Sequence, residues 1–184
     1  MRLRVIKLGG SLLLAEALPA CLAAVARLPG CTLVVPGGGA FAEQVRLQQA
    51  LHGFDEVTAH RMAILAMQQM ALVMQSLQPD FRLLSSVADF SITVSVAIWS
   101  PAVAELDNAG IAPSWDITSD SLAAWLAGWV QADELILVKS AQVANDAKLP
   151  ELQAQGMLDA GFLSFAARLA CPITVLNHRD FISA

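Results

Sequence analysis

Twice in its first forty residues the chain runs a short apolar stretch straight into a cluster of small residues. Residues 3–8 (LRVIKL) stop at Gly9, Gly10 and Ser11, and residues 32–35 (TLVV) pass through Pro36 into Gly37, Gly38 and Gly39. Each turn leads into an Ala- and Leu-rich stretch with helical character, residues 12–28 (broken at Pro19) and residues 40–51. Strand, glycine turn and helix, repeated in order, is the pattern of βαβ units, which side-by-side parallel strands require. The expected fold class is therefore α/β: a three-layer α/β/α sandwich around an open, mainly parallel sheet, formed as one domain over residues 1–184.

The rest of the chain fits that frame. Residues 56–77 keep helical spacing of apolar side chains and form the longest helix candidate. Residues 94–99, 135–138 and 173–176 read as further strands, and residues 119–130 and 158–169 as helices. In the long helix, Met62, Met67, Met70 and Met74 are expected to fill core or subunit-contact surface, since Met packs adaptably. Ser119 or Asp120 is placed to cap the helix at 119–130.

The composition is 56% hydrophobic and 15% charged, with a mean hydropathy of +0.57. That is apolar enough to suggest a membrane protein. However, Gly, Pro or charge interrupts every apolar run before the roughly 18 residues a spanning helix needs. A net charge of −5 without any basic run argues against nucleic acid as a partner. Lys7, Gly9 and Gly10 interrupt the N-terminal stretch too early for a secretory signal. Cys21, Cys31 and Cys171 are odd in number and lack metal-ligand spacing, as suits free thiols. A cytoplasmic location is expected.

Chemistry concentrates in four places. Glycine turns after strands let consecutive backbone N–H groups approach a phosphate, with the following helix start adding partial positive charge. Lys7 stands two residues before the first turn, where an ammonium offsets phosphoryl charge. Neither turn is GxxxxGK[ST] or GxGxxG, so both standard nucleotide fingerprints are missing. Asp116 and Asp120 sit among Thr118, Ser119 and Ser121 at a helix start. Lys139 closes the strand at 135–138, the sheet edge where open α/β folds bind ligands. Surface solvation of Lys139 and simple capping by Asp120 are the plain alternatives.

Together, VIKLGGS (5–11), VVPGGG (34–39) and TSDSLAA (118–124) ahead of LILV (135–138) resemble the amino acid kinase family. The resemblance follows the family order from about residue 3 to 180. It implies transfer of the γ-phosphoryl group of ATP, with Mg²⁺, to a small-molecule carboxylate, carbamate or phosphate. Lys7 matches the family lysine bridging donor and acceptor, and Gly9, Gly10 and Ser11 match the loop holding the β- and γ-phosphates. Gly37, Gly38 and Gly39 match the loop facing the acceptor, and Asp120 matches the aspartate that orients catalytic lysines. Ser119 joins the nucleotide-side set.

The chain also departs from the family. Where members often carry Thr-Asp, then Gly and a second catalytic lysine, this chain has Lys139-Ser140. Lys139 or Lys148 stands in for that lysine, and the nucleotide-binding part is shortened. Gly39 is followed by Ala-Phe-Ala rather than by the histidine of isopentenyl phosphate kinases. Residues 59–67 (AHRMAILAM), with TSDS, resemble the short kinases that phosphorylate an aminomethylfuran phosphate in methanofuran biosynthesis. That resemblance implies a phosphate-monoester acceptor faced by Arg46, His60 or Arg61, and an acidic side chain for its ammonium group. No metal ligand is assigned. Sparse surface charge and the helix at 59–77 point to a homodimer or higher homo-oligomer. The competing expectation is a non-catalytic nucleotide-binding or regulatory subunit on the same fold.

Overall fold

The computed structural model describes residues 2–144 and 146–184. Six strands, β1 (Leu3–Leu8), β2 (Cys31–Pro36), β3 (Arg82–Leu84), β4 (Val96–Trp99), β5 (Glu134–Lys139) and β6 (Ile173–Asn177), form one sheet in the order β3-β4-β2-β1-β5-β6. Every pairing is parallel. The helices are α1 (Ser11–Leu14), α2 (Leu18–Arg27), α3 (Gly39–His52), α4 (Glu56–Leu77), α5 (Val103–Asn108), α6 (Ser119–Trp129), α7 (Leu149–Ala154), α8 (Phe162–Ala166) and α9 (His178–Ser183).

β1 and β2 are buried at every position, as strands covered on both faces must be. Side-chain alternation divides them between two cores. Leu3, Val5, Leu33, Val35, Leu135 and Leu137 pack with Leu122, Leu126 and Phe162 on one face. Ile6, Leu8, Val34, Ile98 and Val138 pack with Leu18, Leu22, Val25, Met70 and Met74 on the other. The same period-2 rule fixes the site: Lys7 shares the face of Leu3 and Val5, Lys139 that of Leu135 and Leu137, and both look toward α6.

The three-layer parallel architecture is as the sequence predicts, but several elements differ. The 12–28 helix is two helices, and the break lies not at Pro19 but at residues 15–17, where Glu16 has φ 53°. Pro19 belongs to the first turn of α2, where a missing N–H costs nothing. The 158–169 helix shrinks to α8. Met67, Met70 and Met74 are core, while Leu65 and Leu72 carry the exposed face of α4. Neither Ser119 nor Asp120 caps α6. Thr118 is the N-cap residue and makes no local side-chain cap bond, because its hydroxyl is turned to a distant carboxylate, Asp159. Among the described residues no helix is long and apolar enough to cross a membrane.

Candidate active site

The sheet order changes direction at β1: β2 lies on one side and β5 on the other. Such a switch point leaves a crevice beyond the strands' C-terminal ends. Both glycine turns leave the sheet there. The Gly9 N–H donates to the Val138 carbonyl (3.1 Å) and the Gly37 N–H to the Leu8 carbonyl (2.9 Å). The turns then meet backbone against backbone. A Cβ on Gly10 would lie 2.1 Å from the Gly39 nitrogen, and one on Gly37 2.5 Å from the Gly10 nitrogen. Gly39 also has φ 55°. The glycines are required by this approach, and the two cradles open into one region.

Behind them stands a buried charge cluster. Lys7 Nζ lies 2.8 Å from Asp120 Oδ1, and Lys139 Nζ donates to Asp120 Oδ2 at 2.6 Å. Asp120 is 4% exposed and Lys7 5%, so bulk water screens little of this charge. Burial alone would push the Asp120 carboxyl up, but the Lys7 and Lys139 ammoniums outweigh it and hold it below the usual carboxylate range. Burial, with Lys7 nearby, drives Lys139 down to about 8 against the pull of Asp120. With both lysines protonated, two cations share one anion, leaving a surplus positive charge beside the cradles.

Two clefts flank this cluster. The first, of about 200 Å³, is lined by Gly10, Ser11 and residues 37–39, by Glu43, Arg46, His60 and Trp115, and by Ile64 and Met67. The second, of about 430 Å³, is lined by Lys7, Gly9, Gly10, Ser11, Lys139 and Ser140. Gly10 and Ser11 belong to both. A ligand in each cleft would therefore meet its neighbour at the glycine turns. Ser11 and Ser140 hydroxyls lie 2.7 Å apart, closing the second cleft across the ends of β1 and β5.

Within the first cleft the Arg46 guanidinium lies 3.7 Å from the centre of the Trp115 ring, and the indole N–H donates to Gln49 Oε1 at 2.7 Å. This stack pre-orients the guanidinium. His60 Nδ1 lies 3.2 Å from the Ser114 carbonyl, and burial holds its imidazole below the ordinary range, hence neutral at pH 7. Arg61 instead pairs with Asp107, 2.9 Å away and well exposed. Lys148 also lies outside the cluster. It lines a separate cleft of about 490 Å³ with Asn177 and Asp180. Of the two candidate second lysines, Lys139 is the one that reaches Asp120. Ser119 lines the first cleft rather than the second.

Sequence reasoning missed Gln49, Ser140, Asn177 and Asp159. Asn177 is buried and donates to the carbonyls of Ser140 (3.0 Å) and Ala141 (2.7 Å), fixing the segment after Lys139. No local pattern marks these residues, because each works across at least 36 residues of chain or through a side chain on another element.

The residues present suit a polyphosphate: glycines packed too closely for any Cβ, and a cationic cluster in which two lysines share one carboxylate. They do not form a cage for Mg²⁺. No group of three or more His, Cys, Asp or Glu is arranged for a metal among the described residues, and both Asp120 oxygens face lysines. A Mg²⁺ ion entering with nucleotide would rely on phosphates and water for most of its ligands.

An open, all-parallel sheet with a crevice at its switch point defines the class, a three-layer α/β protein. Residues 2–143 match the amino acid kinase family, and the chain belongs to it. No curated protein sequence matches the chain. Among solved structures, uridylate kinase from Archaeoglobus fulgidus is similar at TM-score 0.76 and 20% identity, over 99% of this chain and 94% of that one. Aspartate kinase from Synechocystis is similar at TM-score 0.71 and 15% identity, over 96% of this chain and 38% of that one. UMP kinase from Bacillus anthracis is similar at TM-score 0.69 and 15% identity, over 97% and 88%. At these identities the likeness is one of fold.

Proposed function

We propose that the chain is an ATP-dependent kinase that phosphorylates a small phosphate monoester, with an aminomethylfuran phosphate of methanofuran-type one-carbon cofactor biosynthesis as the acceptor. The observation that carries the reading is the Lys7–Asp120–Lys139 cluster beside two clefts that share Gly10 and Ser11. ATP, when bound, supplies a γ-phosphoryl group whose bond to the β-phosphate breaks as one forms to an acceptor oxygen. In-line transfer of this kind asks the protein for positioning and charge compensation rather than covalent catalysis.

The roles follow from placement. Gly10 and Ser11 hold the donor phosphates with backbone N–H groups, Gly9 ties the loop to β5 through its own N–H, and residues 37–39 face the acceptor and the transferred group. Lys7 lies at the base of both turns, where its ammonium meets charge developing between donor and acceptor. Asp120 orients Lys7 and Lys139 toward the phosphates. Lys148 and Asn177 border the cleft that would take the nucleoside. In the acceptor cleft, Arg46 suits a phosphate, Glu43 an ammonium group, and Ile64 and Met67 a flat apolar body. His60 accepts or donates one hydrogen bond without adding charge.

Two copies pair through α3 and α4 in this reading, because Leu47, Leu51, Leu65 and Leu72 are all 47% exposed or more. A cytoplasmic site of action goes with the free thiols and the nucleotide.

Release of ADP from Mg-ATP, with UMP and an aminomethylfuran phosphate offered as acceptors, tests the activity. Lys7→Ala is expected to abolish acceptor-dependent ADP release while leaving the unfolding midpoint within a few degrees. Wild-type turnover by that variant would remove Lys7 from the mechanism. Absence of calorimetric heat with millimolar Mg-ATP would favour a non-catalytic subunit instead.

A further inference from the structure

The first turn of α6, which carries Asp120, is not capped by its own residues. Its N-cap residue Thr118 and its third residue Ser121 turn both backbone N–H groups and both hydroxyls to one carboxylate, Asp159. The Thr118 N–H and hydroxyl donate to Oδ2 at 2.9 and 2.8 Å and the Ser121 N–H at 3.0 Å, while the Ser121 hydroxyl donates to Oδ1. A helix can satisfy these donors with a Ser, Thr or Asp at its own N-cap. Here two suitable hydroxyls are present and both are spent on a residue about forty positions downstream.

The turn that carries Asp159 is itself fixed against the connection from α5 into α6. The Gly161 N–H donates to the Asp116 carbonyl at 2.6 Å, and a Cβ on Gly161 would lie 2.8 Å from that oxygen and 3.2 Å from Ser121 Oγ. Segments 116–121 and 159–161 therefore fit together with no room for a side chain at residue 161. Asp120 lies between the two residues that Asp159 grips.

We infer that Asp159 is a positioning residue of the phosphoryl-transfer site, holding the start of α6 so that the Asp120 carboxylate meets both Lys7 and Lys139. The inference rests on the functional reading above for its purpose, but not for its geometry. A carboxylate at a helix N-terminus also compensates the helix dipole. Asp120 has a task that excludes it from that role: its two oxygens are committed to the lysines. Asp159 takes over the helix start and leaves Asp120 free. Its charge also reaches Lys139, whose surroundings are Asp120 from α6, Lys7 from β1 and Asp159 from the adjoining turn. Of these, Asp120 and Asp159 raise the Lys139 proton affinity and Lys7 lowers it.

The chain contains only three lysines, Lys7, Lys139 and Lys148, so ¹³Cε-lysine NMR reads Lys139 directly in the full chain without nucleotide. Asp159→Asn is expected to move the Lys139 midpoint down from about 8 by about half a pH unit. It should also speed amide exchange at Ser121 by about tenfold or more. Asp159→Glu should restore most of the midpoint. A variant that loses thermal stability but keeps the wild-type Lys139 midpoint would make Asp159 a structural cap alone and overturn the inference.

If Asp159→Asn does not fold, Thr118→Val removes one of the four bonds and no charge. Several-fold faster exchange at Asp120 and Ser121 is then expected, and unchanged protection overturns the inference. Should Thr118→Val, which leaves the Asp159 charge in place, move the Lys139 midpoint in a protein that binds no Mg-ATP, the positioning stands and the kinase reading falls.

Discussion

Replacing Gly10 with alanine puts the contact between the two glycine turns under direct strain. The added Cβ would sit 2.1 Å from the Gly39 nitrogen and 2.3 Å from its Cα, where carbon contacts normally begin near 3.4 Å. Both obstructing atoms are backbone, so no rotamer change relieves the overlap, and the turns must part by about 1 Å or more. That displacement works against the Gly9 N–H bond to Val138 and the Gly37 N–H bond to Leu8, which tie the turns to the sheet. Overpacking with backbone shifts typically costs about 1–3 kcal/mol, and the immobile neighbours place this case at or above the upper end. Gly53→Ala is the control. Gly53 has φ 68° and nothing within 4 Å of its would-be Cβ, so only the left-handed backbone penalty of about 1 kcal/mol applies. Urea unfolding of the two variants, paired with calorimetric titration of Mg-ATP, measures both consequences. Gly10→Ala is expected to lose about 3 kcal/mol and most of its nucleotide affinity, and Gly53→Ala about 1 kcal/mol and none. Equal, mild losses with undiminished nucleotide binding would refute the claim that the turns form one phosphate site.

Two further expectations follow from charge and from surface. Lys139 titrates near 8 in the folded chain against an ordinary 10.5. Between those values the unfolded chain holds a proton that the folded one has released, so this group makes stability rise with pH across that window. Cys21, pushed up to about 11 by burial, acts with the opposite sign above pH 9. The difference between wild type and Lys139→Met in chemical denaturation at pH 7.5 and 10 isolates the lysine, and a difference that does not change with pH contradicts its buried, depressed state. On the α4 face, Leu72→Glu is expected to convert a dimer to monomer in sedimentation without altering the fold. An unchanged sedimentation coefficient would discard that surface as the interface.

Much of the fold is legible in local pattern. The two six-residue strands that precede glycine are buried along their whole length; the apolar residues announce it, whereas Arg4 and Lys7 are buried only because Glu134 and Asp120 meet them. Residues 56–77 carry helical spacing from end to end, and the helix has those bounds. Elements without a local signal are not legible: β3 is three residues at the sheet edge, beginning with an exposed arginine, and α5, α7 and α9 are helices of only six residues. The break before α2 differs from the expected one because Pro19 looks like a helix breaker but is tolerated in a first turn, while the actual break uses a left-handed Glu16 that no propensity favours.

At the site the contrast is sharper. Lys7, the glycine turns and Asp120 stand out because each lies in a compact motif. Lys7 and Lys139 share a sheet face, but only the β1–β5 register, which sets Lys7 opposite Leu137, reveals it. Asp159 and Asn177 remained invisible because their effect depends on how distant turns pack. The capping role went wrong for the same reason: Thr118 and Ser121 have the composition of a local cap, yet tertiary packing supplies a stronger acceptor and redirects them.

The central claim is that both cradles and the Lys7–Asp120–Lys139 cluster address one phosphate chain. A crystal structure with a non-hydrolysable ATP analogue measures this directly. The account predicts the terminal phosphate at the junction of the Gly9–Gly10 and 37–39 turns, with Lys7 Nζ and Lys139 Nζ within hydrogen-bond distance of phosphate oxygens. Phosphates bound away from that junction, with the lysines still engaged only by Asp120, would contradict it.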